Sequence, residues 1–337
     1  MKRRSLLLAT PWLATTPWLL GACAPLAQSA GAPGPDFAGP VLGADAFVAQ
    51  DGTRLGLTVW PADGGVEPWA VIIGLHGMND YAEAFTLAAP VWAAAGVTTY
   101  AYDQRGFGRS PHRGIWGGTE LMMEDLRTAC RLVRERHPRA VLAVVGESMG
   151  GSVAIAAFGS DRPPAADRLV LSAPAVWGWD AQPLLYKSSL WLGAHTFPAY
   201  AGNPPKLFTR KIVASDNIEH IRRMRRDKNL LFRTRIDAVY GLVGLMQRAA
   251  TGVEAIKRPP PVFYAYGMHD TIIKEAPTLV AVRQLRPGDR SAHYKRGYHM
   301  LTRDLQGPVV SRDMLSFIRD PEAPFPSGAP PIRARRG

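Results

Sequence analysis

Three residue types that together perform acyl transfer occur in this chain in a usable order: Ser148, then Asp270, then His299. A serine hydroxyl is a weak nucleophile until a base takes its proton, and the base works best when an acid orients it. Ser148 lies in "VVGESMGG", where Gly146, Ser148 and Gly150 form G-x-S-x-G between the apolar run "VLAVV" and the small-residue run "GGSVAIAAFG". That context fits a strand, a sharp turn and a helix, with the hydroxyl at the apex and the helix dipole favouring negative charge nearby. Asp270 follows the strand-like run "PVFYAYG", and His299 follows "SAHYKRG". Both are thus expected in loops at strand C-terminal ends, where open parallel sheets gather their sites. Asp227 and Asp237 remain rival acids. Among the other histidines, His293 falls inside a strand, His269 precedes the acid, and His112, His137, His195 and His220 are expected to be exposed. "LHGMNDY" follows the run "AVIIG", so the backbone N–H groups of Met78 and Met149 are the expected donors to a developing oxyanion.

The elements that must position these residues can be read from periodicity. Runs apolar on both faces recur from "AVIIGL" onward, which predicts a mostly parallel sheet covered by helices on each side. The alternation breaks from about 175 to 257. This insertion holds Trp177, Trp179, Leu184, Leu185, Leu190, Trp191 and Leu192, then ten Lys and Arg between Lys206 and Arg235 against Asp216, Glu219 and Asp227. It reads as a helical cap whose large apolar groups wall a channel to Ser148. The core is then 43–174 and 258–320, and the Pro-rich, basic stretch 321–337 is expected to be disordered.

The N-terminus reads as an export signal over 1–22: "MKRRS" is a positive start, and the apolar stretch after it, broken by Pro11 and Pro17, is too short to span a bilayer. "LGAC" ending at Cys23 resembles a bacterial lipobox, which implies a lipidated Cys23 on a tether of residues 23–42 and a place at the periplasmic side of the cell envelope. The Arg3–Arg4 pair also resembles a twin-arginine signal. With Cys23 lipidated, Cys130 has no partner and is expected to be a small buried residue. The formal charge of +12 suits an anionic membrane surface. Zinc-finger spacing and arginine helices interleaved with aromatics are both missing, so no nucleic-acid partner is expected. No metal-ligand cluster shows either, and no metal or cofactor is expected.

"LHGMNDYAEAF", "YDQRGFGRS", "GESMGGSVA", "GMHDTII" and "GYHML" together resemble the successive motifs of the α/β-hydrolase branch that holds monoacylglycerol lipases, lysophospholipases and serine aminopeptidases. The resemblance runs from about Ala46 to Arg319 and implies an α/β-hydrolase fold with an inserted cap. It implies Ser148, Asp270 and His299 as triad, Met78 and Met149 as oxyanion-hole residues, and Asp103 and Arg105 as fold-holding. One departure is Glu147, where many members carry His. The leading expectation is a lipid-anchored serine esterase of lipid-like acyl esters. The alternatives are an aminopeptidase, which would need an acidic pair in the cap for a substrate amine, and a non-catalytic envelope lipoprotein that keeps the fold.

Overall fold

The computed structural model describes residues 24–202, 212–256 and 260–333. The signal segment and Cys23 lie outside the described residues. Nine strands form one sheet: β1 (Val41–Leu42), β2 (Ala46–Val48), β3 (Arg54–Trp60), β4 (Ala70–Leu75), β5 (Val97–Tyr102), β6 (Val141–Glu147), β7 (Arg168–Ser172), and two later strands introduced below. β1, β2 and β3 form an antiparallel edge joined to β5, and every pairing from β5 onward is parallel. The sequence did not show β1 and β2, which are two and three residues long.

Alternate residues of the buried strands feed two cores. On β4, Val71, Ile73 and Leu75 pack with helices α2 (Thr119–Arg136) and α3 (Met149–Phe158). Ala70 and Ile72 face the other way, toward Trp92 of α1 (Ala89–Ala93). Fully buried parallel strands need cover on both faces, and this is how it is supplied.

The insertion contains α4 (Leu184–Thr196), β8 (Ala201–Gly202), α5 (Ile218–Met224), β9 (Thr234–Arg235) and α6 (Ile236–Gly252). It is not purely helical: β8 and β9 form a small antiparallel pair. The core–cap boundary also moves. α6 buries Val243, Leu245, Met246 and Ala249, and a Cβ on Gly252 would come within 2.9 Å of Ile155 on α3, so α6 is a sheet-covering helix as well as the end of the cap. The sheet then closes with β10 (Val262–Gly267), α7 (Glu275–Val282), β11 (Arg290–Tyr294) and α8 (Gly307–Arg319), giving the order β1-β2-β3-β5-β4-β6-β7-β10-β11.

Both termini correct the expectations. Residues 24–42 are not a free tether: the Gln28 N–H donates to the Trp116 carbonyl (2.8 Å), Gly31 N–H to Asp51 (2.6 Å), and Leu26 N–H to Asp237 at the start of α6 (3.4 Å). The tail from 321 to 333 is ordered, contrary to its composition. Phe325 packs on Phe263 with ring centroids 4.5 Å apart and lies under the Arg290 guanidinium, while Pro330 and Ile332 hydrogen-bond beside β11. Prolines lack the donor that would extend a sheet, so this segment covers the β11 edge without inviting further pairing.

The polar residues of "YDQRGFGRS" hold the framework. Asp103 accepts from Ala82 N–H and from Arg109, and Arg105, 2% exposed, bridges Asp51 and Asp125. Cys130 is fully buried and unpaired, and burial pushes its thiol pKa up.

Candidate active site

The nucleophile candidate is set by backbone geometry. Ser148 joins β6 directly to α3 with φ 52° and ψ −115°, a conformation that non-glycine residues seldom adopt. Such strain persists where surrounding structure imposes it. Here the imposing contacts are Ser148 N–H to the Ser172 carbonyl (3.0 Å) and Ala175 N–H to the Ser148 carbonyl (3.0 Å). The flanking glycines are required by close approach: a Cβ on Gly146 would meet the Gly150 carbonyl at 2.7 Å, and one on Gly150 would meet the Leu75 carbonyl at 2.2 Å.

The acid and base candidates are in contact. His299 Nδ1 lies 2.8 Å from Asp270 Oδ2, and both side chains are buried. Asp270 Oδ1 accepts from the N–H groups of Ile272 and Ile273 at 2.8 and 2.9 Å. A carboxylate can only accept, so Nδ1 carries the imidazole proton and Nε2 is left as the acceptor. Burial alone would depress the His299 pKa. The charge and hydrogen bond of Asp270, helped by the charge of Glu147, outweigh burial and the opposing Arg303, and the pKa is raised.

The rivals are elsewhere. Asp227 accepts from the Tyr81 hydroxyl, and Asp237 pairs with Arg235. His269 is exposed and stacks on Tyr298, while His293 is buried within β11. His220 differs from expectation: it is buried on the cap helix α5, and burial, followed by Arg303 and Arg223, lowers its pKa to about 4.

The oxyanion-donor candidates stand at the ends of β4 and β6. Met78 N–H makes no backbone hydrogen bond among the described residues. Met149 is the first residue of α3, where N–H groups have no acceptor within the helix. A Cβ on Gly77 would lie 3.8 Å from Ser148 Oγ, so the loop before Met78 passes directly over the hydroxyl. His76 anchors that loop: fully buried and kept neutral by burial, it accepts from Gln104 N–H through Nε2 (2.8 Å) and donates through Nδ1 to the Gly77 carbonyl (2.8 Å).

Two cavities open beside these loops. One, of about 250 Å³, is apolar and is lined by Met78, Met300, Ile221, Leu230, Leu231 and Phe232. The other, of about 290 Å³, shares Asp80, Met224 and Leu230 with it and is polar, with Arg109, His220 and Arg303 in its wall. The channel walls are therefore not those expected from the sequence. Leu184, Leu185, Trp191 and Leu192 are exposed on α4, and Trp179 and Trp191 line a separate surface cavity with Tyr240. The residues missed are Ile221, Leu230, Leu231 and Phe232, whose apolar character was hidden inside the basic stretch.

The serine aminopeptidase S33 family description matches residues 66–306, well over half of the chain. A monoacylglycerol lipase of Mycolicibacterium smegmatis is 27% identical over 277 residues, covering 81% of this chain and 95% of that protein. Among solved structures, a monoacylglycerol lipase of Paleococcus ferrophilus is 21% identical and superposes with a TM-score of 0.61, covering 80% of this chain and 99% of the other. A soluble variant of Saccharomyces cerevisiae monoglyceride lipase, bound to a substrate analogue, is 18% identical with a TM-score of 0.64 over 87% of this chain and all of the other. The sheet order, the turn at Ser148 and the family match agree, and the chain belongs to the serine aminopeptidase S33 family of α/β-hydrolases.

Proposed function

We propose that the protein hydrolyses carboxylic esters of lipid-like substrates, monoacylglycerols foremost, through an acyl-enzyme on Ser148. The observation that carries this is the His299–Asp270 contact after β10 and β11, in the same parallel sheet whose β6 ends at a serine held at positive φ. Ser148 Oγ attacks the ester carbonyl while His299 Nε2 takes its proton. Asp270 stays ionised and stabilises the imidazolium, and the Met78 and Met149 N–H groups receive the oxyanion. His299 returns the proton to the departing alcohol. Water, deprotonated by the same nitrogen, then releases the fatty acid and restores the serine.

The two cavities favour a monoacyl ester. The apolar one adjoins both Met78 and Met300 and suits an acyl chain. The polar one suits a hydroxylated alcohol: neither ring nitrogen of His220, nor Arg303 Nε, has a hydrogen-bond partner among the described residues. Of its three carboxylates, Asp80 and Asp227 are engaged by Arg303 and Tyr81, which leaves Glu83 alone rather than the acidic pair that an aminopeptidase reading needs for a substrate amine. Each buried methylene contributes about 0.8 kcal/mol, or about fourfold in kcat/KM. On p-nitrophenyl esters of rising chain length, kcat/KM is expected to climb about fourfold per carbon until the apolar cavity is filled, with aminoacyl anilides cleaved poorly. A flat response beyond acetate, or faster anilide cleavage, would contradict the lipid-ester reading.

We further propose that the mature protein is held at the cell envelope by lipid on Cys23, with the cap toward the bilayer. The first described residues run to the start of α6 in the cap, and Leu184, Leu185, Trp191 and Leu192 project from α4 on the outer surface. Large apolar side chains so exposed suit a lipid surface. Cys23→Ser is expected to move the protein from the membrane to the soluble fraction or to stall its processing. Unchanged fractionation, together with no incorporation of labelled palmitate in the wild type, would rule the anchor out.

A further inference from the structure

Three buried charges lie beneath the site and belong to none of the triad roles. Arg303, four residues beyond His299, donates through Nη1 to Asp80 Oδ2 (2.6 Å) and through Nη2 to Glu147 Oε1. All three side chains are at most 8% exposed. One guanidinium thus ties together loops that follow three different parallel strands: the Met78 loop after β4, the serine turn after β6 and the histidine loop after β11. A Cβ on Gly77 would lie 3.6 Å from Glu147 Oε1, so this carboxylate sits under the same glycine as the Ser148 hydroxyl. The cap closes over the cluster, with Asn217 Nδ2 donating to the Arg303 carbonyl (3.0 Å).

The cluster holds two carboxylates and one guanidinium. An unbalanced buried carboxylate costs free energy unless something nearby uses its charge. The neighbour that can use it is His299, which must become a cation as Ser148 is deprotonated. The charged or titratable groups around that imidazole are Asp270 after β10, Glu147 at the end of β6, and Arg303 on its own loop, with Asp80 behind the guanidinium. Asp304, which accepts from Tyr298 N–H and is pushed up to about 6 by burial, lies on the same loop, and the neutral His220 faces Arg303 from the cap.

We propose that Glu147 is a positioning residue for His299. Clamped by Arg303 against the serine turn, its carboxylate adds to Asp270 a second negative charge that favours the imidazolium of the transition state. Arg303 and Asp80 keep that charge and the Met78 loop in register. Burial, helped by the charge of Asp80, raises the pKa of Glu147, and the charges of Arg303 and His299 oppose the rise. The proposal rests on the triad assignment above.

Glu147→Gln tests it, because the amide keeps the side-chain shape and leaves Arg303 and Asp80 as a balanced pair. A carboxylate favours the charged imidazole, so its removal lowers the His299 pKa, by about one unit for a partly shielded neighbour. Two readouts apply: titration of His299 by NMR on histidine-labelled protein, identified by the signal lost in His299→Ala, and the acid limb of kcat/KM against pH on a p-nitrophenyl ester. Both are expected to move down by about one unit, with the plateau kcat falling about tenfold. Glu147→Asp, which keeps the charge, is expected to titrate near the wild type. Asp80→Asn, farther from the imidazole, is expected to move it less than Glu147→Gln. A His299 pKa within about 0.2 units of wild type in Glu147→Gln overturns the proposal, as does an equal shift in Asp80→Asn. Should the glutamine variant not fold, Glu147→Ala removes the same charge without adding a titratable group and gives the same comparison. The NMR titration needs no turnover, so failure of this proposal is separable from failure of the esterase reading, which shows as a wild type that cleaves no ester.

Discussion

The Ser148→Ala protein is expected to fold normally and to lose about six orders of magnitude of kcat on a good ester substrate. Alanine at φ 52° carries much the same backbone strain as serine, and the Ser148 side chain caps nothing in α3, so stability should change little. The chemistry is different: without Oγ there is no acyl-enzyme, and His299 has no nucleophile to activate. What remains is binding and the two N–H donors, which in triad hydrolases still leave about 10³-fold over water. Thermal melting and steady-state kinetics on a p-nitrophenyl ester check both halves. Turnover within a hundredfold of wild type would assign the chemistry to another group.

Asp270→Asn should cost about 10⁴-fold in kcat, less than loss of the serine but far more than loss of one ordinary hydrogen bond. The reason is a tautomer. Ile272 and Ile273 both donate to Oδ1, so the asparagine keeps its oxygen there and turns its NH₂ toward His299. Nδ1 must then accept, the ring proton moves to Nε2, and the base faces Ser148 already protonated. The variant should melt close to wild type, since its two backbone hydrogen bonds are retained. Activity within tenfold of wild type would show that Asp270 does not orient the base.

Much of this site is legible in the amino-acid sequence. A serine between glycines, with a β-branched run before it and small residues after it, is what a strand turning sharply into a helix requires. Acid and base follow in the required order after two further apolar runs. Those signals are local, and local signals survive in a single sequence. The misses share another property. Arg303 meets Asp80 across 223 residues and Glu147 across 156, and charges so far apart read as solvated surface until the fold joins them. The acyl-side walls Ile221 and Leu230 to Phe232 were masked by the arginines around them. The tail failed for a related reason: proline-rich composition argues against regular structure, yet Phe325 and Ile332 needed only a groove beside β11 to be buried.

Among the serines of the folded protein, Ser148 alone is expected to be activated. Incubation with a fluorophosphonate probe, followed by peptide mapping, measures it most directly. The expected result is one adduct per chain, on Ser148, absent after heat denaturation and absent in His299→Ala over the same interval. An unlabelled native protein, or an adduct on a different serine, would contradict the account.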